Sequence, residues 1–178
     1  MSNFLSRFYY KVWTKRKVKG QVFQKGSDCY VYACLNVLRH KHPLVKEMSN
    51  SRLKRLISDV KEYVGTSKSV SIVLDGLIKL GYIKSYSKEK SRLVHFLKQL
   101  DCAVISQKRV LGLPKTRVKR WNAILKRVRD GKGITSHAVA FRRYSRVFGL
   151  QCINSHKTLP QYAIKDLSEV QAIYKIII

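Results

Sequence analysis

Apolar residues recur three and four apart through much of the first hundred positions and alternate with other residues later on; this switch of period is what most restricts the fold. Leu53, Leu56, Ile57, Val60 and Val64 form one helical stripe behind a Ser-Asn-Ser segment suited to a helix start. A helix is expected over about Cys29–His40 behind Asp28, whose carboxylate is placed to accept first-turn amides. Another is expected over roughly Val70–Leu80, stopped at Gly81. Tyr82–Tyr86 reads as extended, and Lys88–Leu100 returns to helical period through Leu93, Phe96, Leu97 and Leu100. Strands are then expected at Cys102–Ser106, His137–Tyr144, Gly149–Asn154 and Ala172–Ile178. Helices first and strands later specify an α+β domain with segregated halves. The chain of 178 residues has no repeat and only three prolines, so it reads as a single domain. Its parts are a basic N-terminal segment over 1–20, a helical half over 21–100 and a mainly β half over 101–178.

Composition matters next, because of charge. Lys and Arg total 37 against 10 Asp and Glu, a formal net charge of +27, and the first acid in the chain is Asp28. A surface so basic attracts polyanions. No apolar run reaches the ~18 residues of a membrane-spanning helix, and residues 1–20 lack the apolar core of a secretory signal. Cys29, Cys34, Cys102 and Cys152 are too few for a secreted disulfide scaffold and match no zinc-finger spacing, so free thiols in a reducing compartment are expected. No metal, cofactor or membrane contact is expected.

The chemistry concentrates in three short segments. In Gln24-Lys25-Gly26-Ser27-Asp28-Cys29-Tyr30, a cysteine opens a helix after a Gly-Ser loop, where amides and the helix dipole favour a thiolate. Gln24 on the incoming loop is placed to donate its side-chain amide to a developing oxyanion. His137 stands at the start of the alternating strand HAVAF, and Asn154 follows 17 residues later at the end of the next strand. Antiparallel pairing through the Arg142–Phe148 connection brings the two side by side, so the asparagine fixes the imidazole tautomer and leaves the other nitrogen for the sulfur. His40, His42, His95 and His156 have no such partners and receive no role.

QKGSDCYVYACLNVLR, HAVAFRRY and CINS together resemble a papain-like cysteine protease, and the first segment is especially similar to the bleomycin hydrolases. The resemblance implies a papain-like fold: a central Cys-bearing helix in an N-terminal helical half, packed on a C-terminal antiparallel sheet or half-barrel. It also implies a thiol peptidase with Cys29 as nucleophile, His137 as base and acid, Asn154 as orienter and Gln24 as oxyanion donor, acting on a polypeptide as a monomer. Three departures carry consequences. Gln24 lies five residues before Cys29, one fewer than is usual, so either the loop is tightened or Gln21 takes the role. His156-Lys157 stands where relatives carry a tryptophan over the His–Asn bond, implying a wetter bond. The spacing of 108 from Cys29 to His137, against about 130–150 in papain and the cathepsins, implies an abbreviated cleft. With 28 residues ahead of Cys29, no inhibitory pro-segment is expected.

Lys108–Arg129 carries nine Lys or Arg and no acid, with Trp121, Ile124, Leu125 and Val128 at helical spacing. That spacing turns Lys119, Arg120, Lys126, Arg127 and Arg129 outward, suited to non-specific phosphate contacts with nucleic acid. The expectation is a protease in the cytoplasm, nucleus or a virion, tethered to nucleic acid. The same triad also serves a deubiquitinase, amidase or acyltransferase, and a non-catalytic basic protein on a decayed protease fold is the third alternative.

Overall fold

Cys29 to Leu38 is an almost continuous apolar run, and a helix that is apolar all round has to be buried. In the computed structural model, which describes residues 12–13, 15–24, 28–90, 96–110, 134–145, 149–155, 160–164 and 167–178, this run forms α1 (Cys29–Lys41), with Val31 to Leu38 all buried. Asn36 is the polar residue in that run, and its carboxamide is spent on the backbone of the strap before the helix. It accepts from Val22 N at 2.7 Å and donates to Val22 O at 2.9 Å. A short α2 (Pro43–Lys46) follows, with Pro43 in its first turn and His42 Nδ1 accepting from Leu44 N at 3.1 Å.

The expected stripe of α3 (Asn50–Val64) buries Leu53, Leu56, Val60 and Val64, and Ser49 Oγ accepts from Arg52 N at its start. α4 (Val70–Lys79) ends through Gly81 at φ 75°, a left-handed position open to glycine at little steric cost.

Six strands form one antiparallel sheet in the order β1-β6-β2-β3-β4-β5. They are β1 (Ser85–Glu89), β2 (Cys102–Val110), β3 (Ile134–Ser145), β4 (Gly149–Ile153), β5 (Gln161–Ile164) and β6 (Val170–Ile177). The molecule is therefore α+β: the described residues include the four helices above and this sheet. The sheet is apolar on both faces, with a period of two. Val104, Ala138, Ala140, Tyr174 and Ile176 share a core with the helices, whereas Ala103, Ile105, Val139, Phe141, Leu150, Cys152 and Ile173 build a second core on the other side. The small side chains of Ala138 and Ala140 let α1 lie close against β3.

Some expectations need correction. The extended segment is displaced: β1 begins at Ser85 rather than Tyr82. The helix over Lys88–Leu100 is not formed at its described ends, since Lys88 and Glu89 belong to β1 and 96–100 is turn and a single 3₁₀ position; 91–95 lie outside the described residues. The reason is visible in burial. Leu97 is buried but Phe96 is 75% and Leu100 91% exposed, so the helical spacing marked no common face. β5 was not expected, being four residues long behind Pro160. Of the basic stretch, Lys108–Val110 belongs to β2, and 111–129, with Lys119, Arg120, Lys126, Arg127 and Arg129, lies outside the described residues. No described helix is long and apolar enough to cross a membrane.

Candidate active site

Three elements meet where α1 begins. Cys29 is the first residue of α1 and is only 7% exposed. The backbone amides of Ala138, of Cys29 itself and of Tyr30 lie close enough to its sulfur to favour the thiolate. Ala138 follows His137 directly, so the sulfur of the helix lies against the peptide that joins His137 to the rest of β3.

β3 and β4 pair antiparallel, with Ala140 opposite Ile153. Asn154 leaves the end of that ladder, and its Oδ1 lies 3.1 Å from His137 Nε2. A carboxamide oxygen only accepts, so Nε2 carries the proton and Nδ1 is the basic nitrogen of the ring. His137 is 7% and Asn154 1% exposed. The wetter bond expected without a tryptophan is therefore not found: the orienting pair is buried.

The strap ahead of α1 is stitched onto the other side of Asn154. Gln24 N donates to Ser155 O at 3.0 Å, and Ser155 Oγ donates to Gln24 Oε1, which sets the orientation of the Gln24 carboxamide. Gln21 does not substitute for Gln24. Its Nε2 donates to Asn154 O at 2.5 Å and Pro160 O at 2.9 Å, while its Oε1 accepts from Val18 N at 2.9 Å. Gln161 adds a further stitch, donating to Arg16 O at 2.6 Å and accepting from Arg142. The structure thus brings Cys29, His137, Asn154 and Gln24 into one neighbourhood. The five cations expected to meet phosphates lie outside the described residues.

The electrostatics differ from expectation in one respect. Burial pushes the Cys29 thiol above its ordinary value, the three amides pull it back, and the Asp28 carboxylate adds to the rise. The net direction is upward, whereas a helix N-terminus by itself favours the thiolate; desolvation outweighs the amides. Asp28 also fails to cap α1 with its side chain, and instead its Oδ2 lies 2.5 Å from Lys61 Nζ on α3. Cys34, Cys102 and Cys152 are free and buried, with thiols pushed up by desolvation, to about 12 for Cys102. Among the described residues, no group of three His, Cys, Asp or Glu gathers as metal ligands.

Ser155, Lys61 and Asn36 were not singled out as parts of this site, and Gln21 was weighed only as an alternative oxyanion donor. Only Asn36 carried a local signal, as the polar residue of an apolar helix. No known protein family matches the chain, and no curated protein matches it either.

Proposed function

We propose that the chain is a papain-like cysteine peptidase. The observation that carries this reading is the buried His137–Asn154 hydrogen bond, formed at the strand whose Ala138 shares a core with Cys29. In this mechanism His137 Nδ1 takes the Sγ proton as the sulfur attacks a peptide carbonyl carbon. Asn154 holds the ring and stabilises it while charged, and Gln24, oriented by Ser155, donates to the oxygen that becomes negative. The imidazolium then gives its proton to the departing amine, leaving an acyl group on the sulfur. Water, deprotonated by the same ring, releases the acid and restores the thiol.

The raised thiol favours a neutral resting Cys29, with the proton moving to the imidazole as the sulfur attacks. The test is a thiol-alkylating probe with mass-spectrometric readout. Labelling concentrated at Cys29 and lost in His137→Ala supports the enzyme. Equal labelling of Cys34 or Cys102 defeats it. An acyl acceptor other than water, as in an acyltransferase, would leave this labelling unchanged and show in the products.

The net charge of +27 favours a second property of the same molecule, a sequence-blind tether to nucleic acid that weakens as salt rises. The proposed compartments are those that keep four thiols reduced, cytoplasm or nucleus, with a nucleic-acid-filled virion as the third.

A further inference from the structure

We propose that Gln21 is a positioning residue for the His137–Asn154 pair: its side-chain amide bridges the carbonyls of Asn154 and Pro160, and so ties the end of β4 to the helix that bears Cys29. The inference rests on the thiol-peptidase reading above and adds to it a residue from the strap ahead of α1.

The bonds of Gln21 leave one orientation for its carboxamide. Nε2 has two hydrogens and meets two carbonyls, Asn154 O at 2.5 Å and Pro160 O at 2.9 Å, while Oε1 accepts from Val18 N at 2.9 Å. A flipped group would set its oxygen against two other oxygens and its NH2 against an N–H, so donor chemistry fixes which end is nitrogen. Pro160 O also accepts from Asn154 N at 2.8 Å, so residues 154 and 160 are closed on each other as well as on Gln21. The next residue of the strap is held to the Cys29 helix. Val22 N donates to Asn36 Oδ1 at 2.7 Å, and Val22 O accepts from Asn36 Nδ2 at 2.9 Å. Asn36 is 2% exposed on α1, so this anchor is buried with the helix.

A continuous path therefore runs from α1 to the imidazole. It passes from Asn36 to the Val22 backbone, through the Gln21 side chain to the Asn154 backbone, and ends at Asn154 Oδ1, 3.1 Å from His137 Nε2. Removing the Gln21 amide takes a donor from two partly buried carbonyls at once and frees the Asn154 peptide to tilt. The Asn154 side chain moves with its peptide, and a hydrogen bond weakens steeply as its angle closes. A loosened Oδ1 no longer selects the ring form protonated at Nε2. The other tautomer carries its proton on Nδ1 and cannot take the thiol proton. Gln21 thus acts on the ring through Asn154, without touching it.

The experiment reads the tautomer of the His137 ring by nitrogen-15 NMR in the full chain at about pH 8.5, where an ordinary imidazole is neutral. The parent is expected to hold its proton on Nε2. In Gln21→Met, which keeps the length but not the donor, the form protonated at Nδ1 is expected to rise about fivefold, the factor that one net hydrogen bond supplies. Gln21→Glu, ionised at that pH and able only to accept, is expected to do the same. In an Asn154→Ala background, Gln21→Met is expected to shift the ratio no further. In the unsubstituted protein the Gln21 Nε2 protons are expected to exchange with water more slowly than those of a free carboxamide. A parental ratio in Gln21→Met and Gln21→Glu, with folding checked by urea unfolding, overturns the proposal; a merely structural glutamine would lower stability and leave the ring unmoved. Free exchange of the Nε2 protons overturns it too, as does an equal shift with and without the Asn154 carboxamide. Absence of His137-dependent labelling at Cys29 would overturn the peptidase reading alone, because the ring is read without turnover.

Discussion

Asn154 is the residue through which the helical strap and the strand pair both act on the imidazole. Its side chain accepts at 3.1 Å from His137, its amide donates to Pro160 O at 2.8 Å, and its carbonyl accepts from Gln21. Asn154→Ala removes only the first of these, so the loop stays anchored while the ring loses its partner. Peptide hydrolysis by this variant is expected to lose at least about tenfold in kcat, part of the hundredfold or more that a positioned base contributes, with little change in KM. A raised KM at unchanged kcat would contradict the orienting role. At this scale the sequence was informative where chemistry is local. His137 and Asn154 could be paired from alternation and a short connection. Asp28 was misassigned as a cap because its partner Lys61 lies 33 residues away on another helix. Gln21, weighed as an alternative oxyanion donor, was misread for the same reason, since the carbonyls it binds are 133 and 139 residues distant.

Among the elements, α1 and β3 set the position of the Cys29 sulfur. Their contact is made with alanine on the strand side, and Ala140 is fully buried in the shared core. Ala140→Leu is expected to destabilise the fold by about 1–3 kcal/mol, as overpacking of a close-packed site does. Urea unfolding monitors that change, and Cys29 alkylation should slow in parallel if the helix is pushed off the strand. Stability unchanged within error would show that α1 does not press on β3. The elements most legible in sequence were those with a sustained period, α1, α3, α4 and the β3–β4 pair. β1 lay three residues beyond its expected start, and β5 offered four residues with no turn signal of its own. Leu93, Phe96, Leu97 and Leu100 repeat at helical spacing, but the two outer described members of that set face solvent.

At the scale of the molecule, charge and architecture are separate matters. The fold class follows from apolar pattern, whereas the excess of cations bears on what the surface meets. If about five cations contact phosphate, the logarithm of duplex-DNA affinity should fall with the logarithm of salt at a slope near −4.5, taking ~0.9 per phosphate. A flat response removes the tether from the proposed function.

β6 occupies the slot between β1 and β2, and Gln21 is clamped to a carbonyl 133 residues downstream. Long-separation contacts of this kind close late in folding. A folding intermediate with α1 through β4 formed but β6 unpaired carries the Cys29 sulfur and the His137 imidazole while β1 is still detached from the rest of the sheet. Under the proposed reading, His137-dependent labelling of Cys29 should therefore appear only after β6 has paired.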